Sequence, residues 1–342
     1  MPSLYTTATV VAAADALDGF NPFIRDNYFG EVVTFDTEEV VFDAISRRRK
    51  IAPFVSPKLA GKERDKRTGQ VSAYKPPYLK PKDTLSPQGA VSRRGGEAIG
   101  GELTLLDRHE QQEMQTMADH ENECRGREEL MCCQLLQTGH MIAEGDGIKD
   151  DIDYERDAEL TVALLAAARW GEAGVKVLDS IRAWRRLVAS KSGASPSKVV
   201  LGYGASELLT ADEDVRAVLD IQRQASGMMA LAGNASGGVD DVARLIGVID
   251  GVEYWEYTQT YEDENGVDQH FWPEFGVSLI SKPRFNGHMT YGAIMDLKSL
   301  QAEKRFTKTY EEEDPSREVM LTQSAPLPVP VDVNASFFGT VR

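Results

Sequence analysis

The longest regular pattern of apolar and polar residues along the chain is helical. Residues 103–146 contain no proline, place apolar residues in a broken stripe at helical spacing, and reach a stop signal at Gly145. They predict a single helix of about 40 residues, roughly 60 Å long at 1.5 Å per residue. Because globular helices average about 11 residues, a rod of this length is typical of a structural spine.

Shorter patterns predict a mixed α+β chain. An apolar stripe predicts an amphipathic helix over 172–192, and 205–224 predict another helix. Alternating or continuous apolar runs predict strands; these are at 31–45, 152–165, 195–204, 277–282, 290–297, 317–325 and 330–341. Asp250-Gly251 and Asn265-Gly266 are strong signals for hairpin turns, so the chain from 246 onward is expected to be mostly β.

Charge divides the chain into a basic arm and an acidic remainder. Residues 44–82 hold twelve lysines and arginines against two acids, Glu63 and Asp65, so this segment carries +10. The whole chain carries −16, and everything outside the arm therefore carries −26. Such a division favours contact between copies, arm to body, and indicates assembly rather than catalysis. Nucleic-acid binding by the arm is the weaker alternative, because its prolines interrupt it and it matches no reading motif.

Strand-forming and turn residues within 52–90 predict a two-stranded excursion. Two strands of about 18 residues would reach roughly 60 Å at ~3.3 Å per residue. An isolated hairpin of that length is marginal in water, so we expect it to lie on a neighbouring subunit. The glycine-rich stretch 93–101 follows and is predicted to be a hinge.

Composition and cysteine usage narrow the class of protein. Of the 342 residues 42% are hydrophobic and 27% charged, as in ordinary globular proteins, and no apolar run approaches the ~20 residues of a membrane span. The N-terminal residues lack the basic start of a signal peptide, which predicts a protein retained in a cytoplasm. The three cysteines, Cys124, Cys132 and Cys133, are expected to be buried apolar residues rather than disulfide partners.

The motifs that could carry chemistry are incomplete. HEQQE at 109–113 lacks the second histidine of a zinc-protease helix, and LGYGAS at 201–206 is followed by Glu207, where a dinucleotide loop needs glycine. The five histidines show no ligand spacing. The acidic run 311–314 is expected to be a solvated turn, with calcium binding as the weaker alternative. The chain is therefore predicted to have no active site, no metal and no cofactor.

Several segments together resemble the phage major capsid protein E family, the major capsid proteins of lambda-like tailed bacteriophages (Caudoviricetes). The most specific is DPSREVMLTQSAPLPV at 314–329, which resembles the family's closing DPxRE…QSAPL signature. The other matching segments are FNPFIRDNYF (20–29), VTFDTEEVVFD (33–43), APFVSPKLAG (52–61), YKPPYLKPKDTLSPQ (74–88), DYERDAELTV…ARW (153–170) and DSIRAWRRL (179–187). The resemblance starts at LYTT (4–7) and covers nearly the whole chain.

The resemblance implies the tailed-phage capsid fold, an α+β fold named for phage Hong Kong ninety-seven. The parts it implies are an N-arm at 1–30, a peripheral (P) domain at 31–170 with an E-loop at 52–92 and the spine helix at 104–143, an axial (A) domain at 171–290, and return strands to the P domain at 291–342. It also implies a major head protein that self-assembles, through hexamers and pentamers, into the icosahedral shell that encloses phage DNA. The glycine hinge would let the E-loop swing as the shell expands.

The residues expected at contacts between subunits are charged and aromatic residues of the E-loop. They are Arg47, Arg48, Arg49, Phe54, Lys58, Lys62, Arg64, Lys66, Arg67, Tyr74, Lys75, Tyr78, Lys80 and Lys82. The glycines expected to form the hinge are Gly95, Gly96, Gly100 and Gly101. No catalytic residue and no metal ligand is predicted.

The resemblance also implies the partners of the chain. The first is the chain itself, in capsomers of six and five copies, and the others are a scaffolding protein, a portal and a small decoration protein at three-fold sites. Double-stranded DNA would be enclosed without sequence-specific binding, since an acidic inner wall repels phosphate. No membrane and no covalent crosslink between subunits is expected. The protein is expected in the virion capsid, assembled in the cytoplasm of a bacterial host.

Three other classes of protein stay open from the sequence. An encapsulin-like nanocompartment shell protein shares the fold, although the closing signature at 314–329 argues against it. A soluble oligomeric enzyme with a β-rich substrate domain would need titratable groups that converge in a pocket, and the spacing of histidines and cysteines offers none. A phage tail or connector protein fits a long basic arm and a spine helix less well.

Overall fold

The computed structural model describes residues 20–45, 69–87, 104–145, 148–217, 243–263, 265–299, 302–314 and 316–342. Its helices are α1 (Phe23–Tyr28), α2 (Leu105–Thr138), α3 (Val177–Ser192), α4 (Tyr203–Ala211) and α5 (Lys282–Phe285), and residues 213–217 are also helical. Its strands are β1 (Glu31–Thr34), β2 (Val40–Ile45), β3 (Gly69–Tyr74), β4 (Lys82–Leu85), β5 (His140–Gly145), β6 (Ile148–Asp153), β7 (Thr161–Ala163), β8 (Lys198–Leu201), β9 (Ala243–Ile249), β10 (Val252–Tyr257), β11 (Thr260–Glu262), β12 (Asp268–His270), β13 (Gly276–Ile280), β14 (His288–Tyr291), β15 (Phe306–Glu313), β16 (Ser316–Gln323), β17 (Pro326–Val329) and β18 (Ser336–Thr340).

The strands form one large sheet and several small ones. The large sheet has six strands in the order β7-β18-β13-β8-β10-β9 and is mixed, because β7 runs parallel to β18 and β8 runs parallel to β10. Two three-stranded sheets, β1-β14-β17 and β15-β16-β4, and three two-stranded ribbons, β2-β3, β5-β6 and β11-β12, complete the set described. Strand β18 lies beside β13. The large sheet therefore crosses the predicted boundary at residue 291, between the A domain and the return strands.

Most of the predicted elements are present, usually with shorter bounds. The two short strands expected in 31–45 are confirmed, as are the hairpin turns at Asp250-Gly251, between β9 and β10, and at Asn265-Gly266, between β11 and β12. The helix predicted over 172–192 begins later, at Val177. The strand predicted over 290–297 ends at Tyr291 and continues as a loop.

The acidic run 311–314 is not a simple turn, and the strand that contains most of it was missed. Glu311, Glu312 and Glu313 are the last residues of β15, which pairs antiparallel with β16 along its whole length. Cross-strand charge contributes to this pairing, because Arg317 on β16 forms an ion pair with Glu312. Threonine, phenylalanine and tyrosine in the first half of β15 are the strand-forming signal, and the acids that follow obscure it.

The long helix predicted as a spine is present as α2, but it ends earlier than the predicted bound of 143. It begins with a capping box, in which Thr104 Oγ1 accepts the backbone N–H of Asp107 and the Asp107 carboxylate accepts the N–H of Thr104. It ends at Gly139, whose φ of +80° is left-handed and terminates the helix. The prediction that the helix ends at Gly145 is therefore wrong, because the residues that follow Gly139 form strand β5.

Gly139 and Gly126 form a matched pair for testing how α2 ends. A Cβ at Gly139 would lie 2.8 Å from the Cβ of Arg156, and the left-handed backbone disfavours any side chain there. We expect Gly139→Ala to lower the free energy of unfolding by at least about 1–2 kcal/mol. Gly126 lies inside the helix, and no atom lies within 4 Å of a Cβ placed there. Gly126→Ala is therefore expected to raise the free energy of unfolding by roughly 0.5–1 kcal/mol. Urea unfolding of the subunit measures both, and equal effects would contradict this account of the helix end.

Two large hydrophobic clusters form most of the core of the described residues, and a small third one joins Leu85, Met117 and Met320. The first surrounds the second half of α2, where Leu135 and Leu136 are fully buried, and it includes residues of α1, β14 and β17. The second surrounds α3 and the six-stranded sheet, and in it Trp184 stacks on Phe337 with ring centroids 4.8 Å apart. The apolar stripe predicted for 172–192 is confirmed, because its members are buried in this cluster; they are Val177, Ile181, Trp184 and Val188.

The three cysteines are buried and unpaired, as predicted. Burial raises the pKa of the Cys124 thiol to about 12 and raises the pKa of Cys132 and Cys133 well above the ordinary value. These thiols are therefore protonated and inert, and they contribute as small apolar residues. Among the described residues, no helix combines the length and the apolar character needed to cross a membrane.

Candidate assembly site

The base of the basic arm is a two-stranded ribbon. Strand β2 pairs antiparallel with β3, from Val40 opposite Tyr74 to Ile45 opposite Gly69. Residues 46–68, which join these strands, hold most of the predicted contact residues and lie outside the described residues. The ribbon therefore begins at Val40, before the bound of 52 predicted for the excursion.

The second limb of the predicted excursion belongs to the body of the subunit. The described part of 52–90 contains β3 and β4, and these strands do not pair with each other. Strand β4 instead joins the sheet of β15 and β16, with Lys82 opposite Leu321. The chain between the two strands is tied to the same sheet by a bridge of Leu79 to Ser324. The prediction that 52–90 form one hairpin is therefore wrong, because β3 pairs with β2 and β4 pairs with β16.

Tyr74 and Lys75 fix the ribbon base to the body. The Tyr74 hydroxyl donates a hydrogen bond to the backbone oxygen of Asp153 at 2.8 Å, and its ring packs against Tyr154. Lys75 forms an ion pair with Glu38, which lies just before β2. The ribbon therefore leaves the body from a defined position and direction.

Tyr78 is also engaged within the subunit, whereas Lys80 and Lys82 are exposed. The Tyr78 hydroxyl donates to Gln323 Oε1 at 2.6 Å and accepts the backbone N–H of Met295 at 3.3 Å. Lys75, Tyr78 and Lys80 line one groove of about 630 Å³. The structure thus brings together three of the predicted contact residues and leaves the amines of two lysines available at the surface.

The remaining predicted site residues lie outside the described residues. In the arm these are Arg47, Arg48, Arg49, Phe54, Lys58, Lys62, Arg64, Lys66 and Arg67, and in the hinge they are Gly95, Gly96, Gly100 and Gly101. Their roles stay predictions from the sequence.

A buried carboxylate on the spine holds the N-terminal segment. Helix α1 follows Pro22 and has no cap from its own side chains, so its first N–H groups need an acceptor elsewhere. Glu129 supplies it, because its two carboxylate oxygens accept the backbone N–H of Ile24 and of Arg25, both at 2.8 Å. The Tyr257 hydroxyl donates to the same carboxylate at 2.7 Å. Burial raises the pKa of Glu129 to about 7, and these hydrogen bonds act in the opposite direction.

The neighbouring carboxylate, Glu128, joins three parts of the chain. It is fully buried and forms ion pairs with Arg25 Nε at 2.9 Å and with Arg305 Nη2 at 2.7 Å. The Tyr291 hydroxyl donates to it at 2.9 Å, and Arg305 also pairs with Glu121 on the same helix. The N-terminal segment, the spine and the segment after β14 are therefore connected through one buried charge.

Sequence reasoning missed Glu128 and Glu129. They precede an apolar run of α2, and acids on a helix are usually read as a solvated face. A signal was present, because Glu128 lies four residues after Cys124 and three before Met131, which places it on the buried face of α2. The basic partner, Arg25, lies in the FNPFIRDNYF segment that was recognised for other reasons.

This arrangement of spine, ribbon and mixed sheet is that of the tailed-phage capsid fold. A crystal structure of a prophage capsid protein from E. coli CFT073 superposes with a TM-score of 0.74 at 21% identity, covering 99% of each chain. The mature capsid of bacteriophage PhiM1 gives a TM-score of 0.51 at 12% identity, covering 94% of this chain and 87% of that one. Both likenesses show the fold, which confirms the fold class predicted from the sequence.

The sequence profile of the family described as phage major capsid protein E matches residues 6–341, so the chain belongs to that family. Among its relatives, the major capsid protein of Escherichia phage lambda is 26% identical over 334 residues, which cover 95% of each chain. The major capsid protein of Enterobacteria phage P21 is 26% identical over 336 residues, which cover 95% of this chain and 96% of that one. The chain is thus a major capsid protein of a tailed phage and a component of the virion capsid, and these relatives favour this class over the encapsulin-like alternative. The relatives are structural proteins.

Proposed function

We propose that copies of this chain assemble into hexamers and pentamers, which close into the icosahedral shell around double-stranded phage DNA. The division of charge carries the proposal, because a +10 arm on a chain of −16 is complementary to the body of another copy. The ribbon base supports it, since Tyr74 and Lys75 hold the two strands at a fixed place on the body. The arm of one subunit then lies across the acidic body of its neighbour.

The shell is held by many weak contacts that are repeated by symmetry. Each arm contact is modest, because exposed ion pairs contribute about 0–1 kcal/mol apiece. A subunit in a closed shell makes several such contacts at once, and it can leave only when all of them break. A rigid subunit is required for this, and the spine helix with its buried Glu128 provides the rigidity.

The proposal assigns the domains and the moving parts as in the fold family. Residues 1–30 form the N-arm, 31–170 the P domain, 171–290 the A domain, and 291–342 return to the P domain, with β7 and β18 joined to the A-domain strands in the six-stranded sheet. The glycines in 93–101 act as the hinge that lets the arm change its angle as the shell expands. The chain has no catalytic role in this account.

Further partners belong to the same proposal and rest on the resemblance to the family. A scaffolding protein directs closure, a portal occupies one vertex, and a small decoration protein binds where arms meet at three-fold sites. Strand addition where N-arm and E-loop strands meet would serve the decoration protein, because lysine- and proline-rich edges pair poorly by themselves. DNA is enclosed without sequence-specific contacts.

Expression of the chain alone and together with its neighbouring genes tests the proposal. Negative-stain microscopy and light scattering are expected to show closed shells, or rings and tubes built from hexamers. Shells that form only when a second gene is expressed would identify the scaffolding protein. A small monodisperse dimer or tetramer in every condition would contradict the proposal.

Assembly is expected to depend on ionic strength. Arm and body attract through exposed charges, and this attraction is screened over about 10 Å at 0.1 M salt and over about 3 Å at 1 M. Raising sodium chloride across that range should therefore slow assembly and lower the yield of shells. Light scattering after dilution from high to low salt measures the rate, and a rate independent of salt would show that apolar contacts drive assembly instead.

A further inference from the structure

Three side chains that could bind a metal ion converge where the spine helix meets the β15-β16 hairpin. His109 and Glu113 lie four residues apart and therefore on one face of the first turns of α2. Glu318 on β16 approaches them from the hairpin, with its Oε2 3.0 Å from His109 Nε2. Glu113 Oε1 lies 3.7 Å from the same nitrogen. One imidazole nitrogen thus contacts two carboxylates.

The distances between these atoms match a metal centre. Zinc binds histidine nitrogen at about 2.0–2.1 Å and carboxylate oxygen at about 2.0–2.2 Å in tetrahedral geometry, which sets neighbouring ligand atoms roughly 3.3–3.5 Å apart. The two separations from His109 Nε2, 3.0 and 3.7 Å, bracket that range, and one ligand atom from each side chain lies within 4.8 Å of the other two. Within the described ranges, this is the one group of three or more potential ligands that meets such a criterion.

The two carboxylates of this cluster also favour the binding of a cation. All three side chains are partly buried, with exposed fractions of 32% for His109, 24% for Glu113 and 16% for Glu318. Two carboxylates held this close repel each other, and a divalent ion between them would remove that repulsion.

We propose that His109, Glu113 and Glu318 bind a divalent transition-metal ion of the zinc type, with water completing its coordination. Imidazole nitrogen selects such ions over magnesium and calcium, which prefer oxygen ligands alone. The bound ion would tie the first turns of the spine helix to β16, two elements joined here only by side chains. Glu318 lies far away in sequence, which is why HEQQE at 109–113 gave no complete motif.

His140 provides a matched control on the same protein. It also lies between two carboxylates, but its Nδ1 faces Asp151 at 3.2 Å while its Nε2 faces Asp153 at 3.6 Å. The two nitrogens point to opposite sides of the ring, so these three side chains cannot surround a single ion. His140→Gln therefore removes a histidine and its ion pairs without touching the proposed centre.

Titration of the untagged full-length chain with zinc chloride tests the proposal. We expect one equivalent per chain in isothermal titration calorimetry, affinity at least about tenfold weaker in His109→Gln and in Glu318→Gln, and no change in His140→Gln. Thermal unfolding in the presence of a chelator checks that all variants fold alike. Binding below a fifth of an equivalent (about 0.2), or equal binding by wild type and His109→Gln, would overturn the proposal.

Cobalt substitution gives a second readout that does not depend on affinity. Visible absorption bands of tetrahedral Co²⁺ are expected for the wild type and for His140→Gln, and are expected to be lost in His109→Gln. A charge-transfer band from a thiolate would place the ion on cysteine and would overturn the assignment. The metal site does not depend on shell assembly. A negative result for metal binding would therefore leave the proposed function unaffected.

Discussion

Glu128→Ala is expected to lower the free energy of unfolding by about 3–5 kcal/mol, a large share of the 5–15 kcal/mol of a typical domain. The substitution removes the buried carboxylate that pairs with both Arg25 and Arg305, whose side chains are only 11% and 8% exposed. It also removes the acceptor of the Tyr291 hydroxyl. Urea unfolding of the subunit, followed by circular dichroism, measures the loss.

Glu144→Ala is the matched control for this prediction. Glu144 carries the same charge, but its side chain is 68% exposed and pairs with Lys149 on the surface of the β5-β6 ribbon. Exposed pairs contribute about 0–1 kcal/mol, so the control should stay close to the wild type. If the two variants unfolded at the same urea concentration, the buried charge would not hold the N-terminal segment, the spine and Arg305 together.

The second large effect is expected on assembly. Reversing three charges of the arm, in Arg47→Glu, Arg48→Glu and Arg49→Glu combined, lowers the arm's charge by six units. The arm and the acidic body then attract each other far less, and we expect the yield of shells at low salt to fall by at least about tenfold. Sedimentation of assembled particles measures the yield, and circular dichroism checks that the subunit remains folded.

The control variant changes the net charge of the chain by the same amount, at surface positions outside the arm. Lys149, Lys176 and Lys282 are exposed and lie outside the arm. Their combined reversal to glutamate should reduce the yield of shells much less than reversal of the arginines. A similar loss in both triple variants would mean that overall charge, rather than the arm, governs assembly.

Local signals in the sequence predicted much of the fold. The turns at Asp250-Gly251 and Asn265-Gly266, the stripe of α3 and the length of α2 all follow from residues close together in the chain. The end of α2 was also signalled locally, by Gly139, but a second glycine at 145 fitted the same pattern. Choosing between them needs the contact with Arg156, whose guanidinium donates to the carbonyl oxygens of Leu136 and Gln137 at the end of the helix.

Contacts between distant residues were the part that could not be predicted. The ion pair of Arg25 with Glu128, and the pairing of β4 with β16, join segments that no short-range pattern connects. The candidate assembly site was predictable as a charge imbalance, because that is a property of composition. The hydrogen bond from Tyr74 to Asp153, which fixes the ribbon base, required the fold.

Cryo-electron microscopy of particles formed by this chain tests the central claim most directly. The account predicts a closed shell in which residues 46–68 of each subunit lie on the acidic surface of an adjacent subunit, with the ribbon base held at Tyr74. A shell whose arms contact only their own subunit would contradict the proposed contact. The absence of any closed particle, with only dimers or tetramers at every salt concentration and with every neighbouring gene, would contradict the assembly of this chain into a shell.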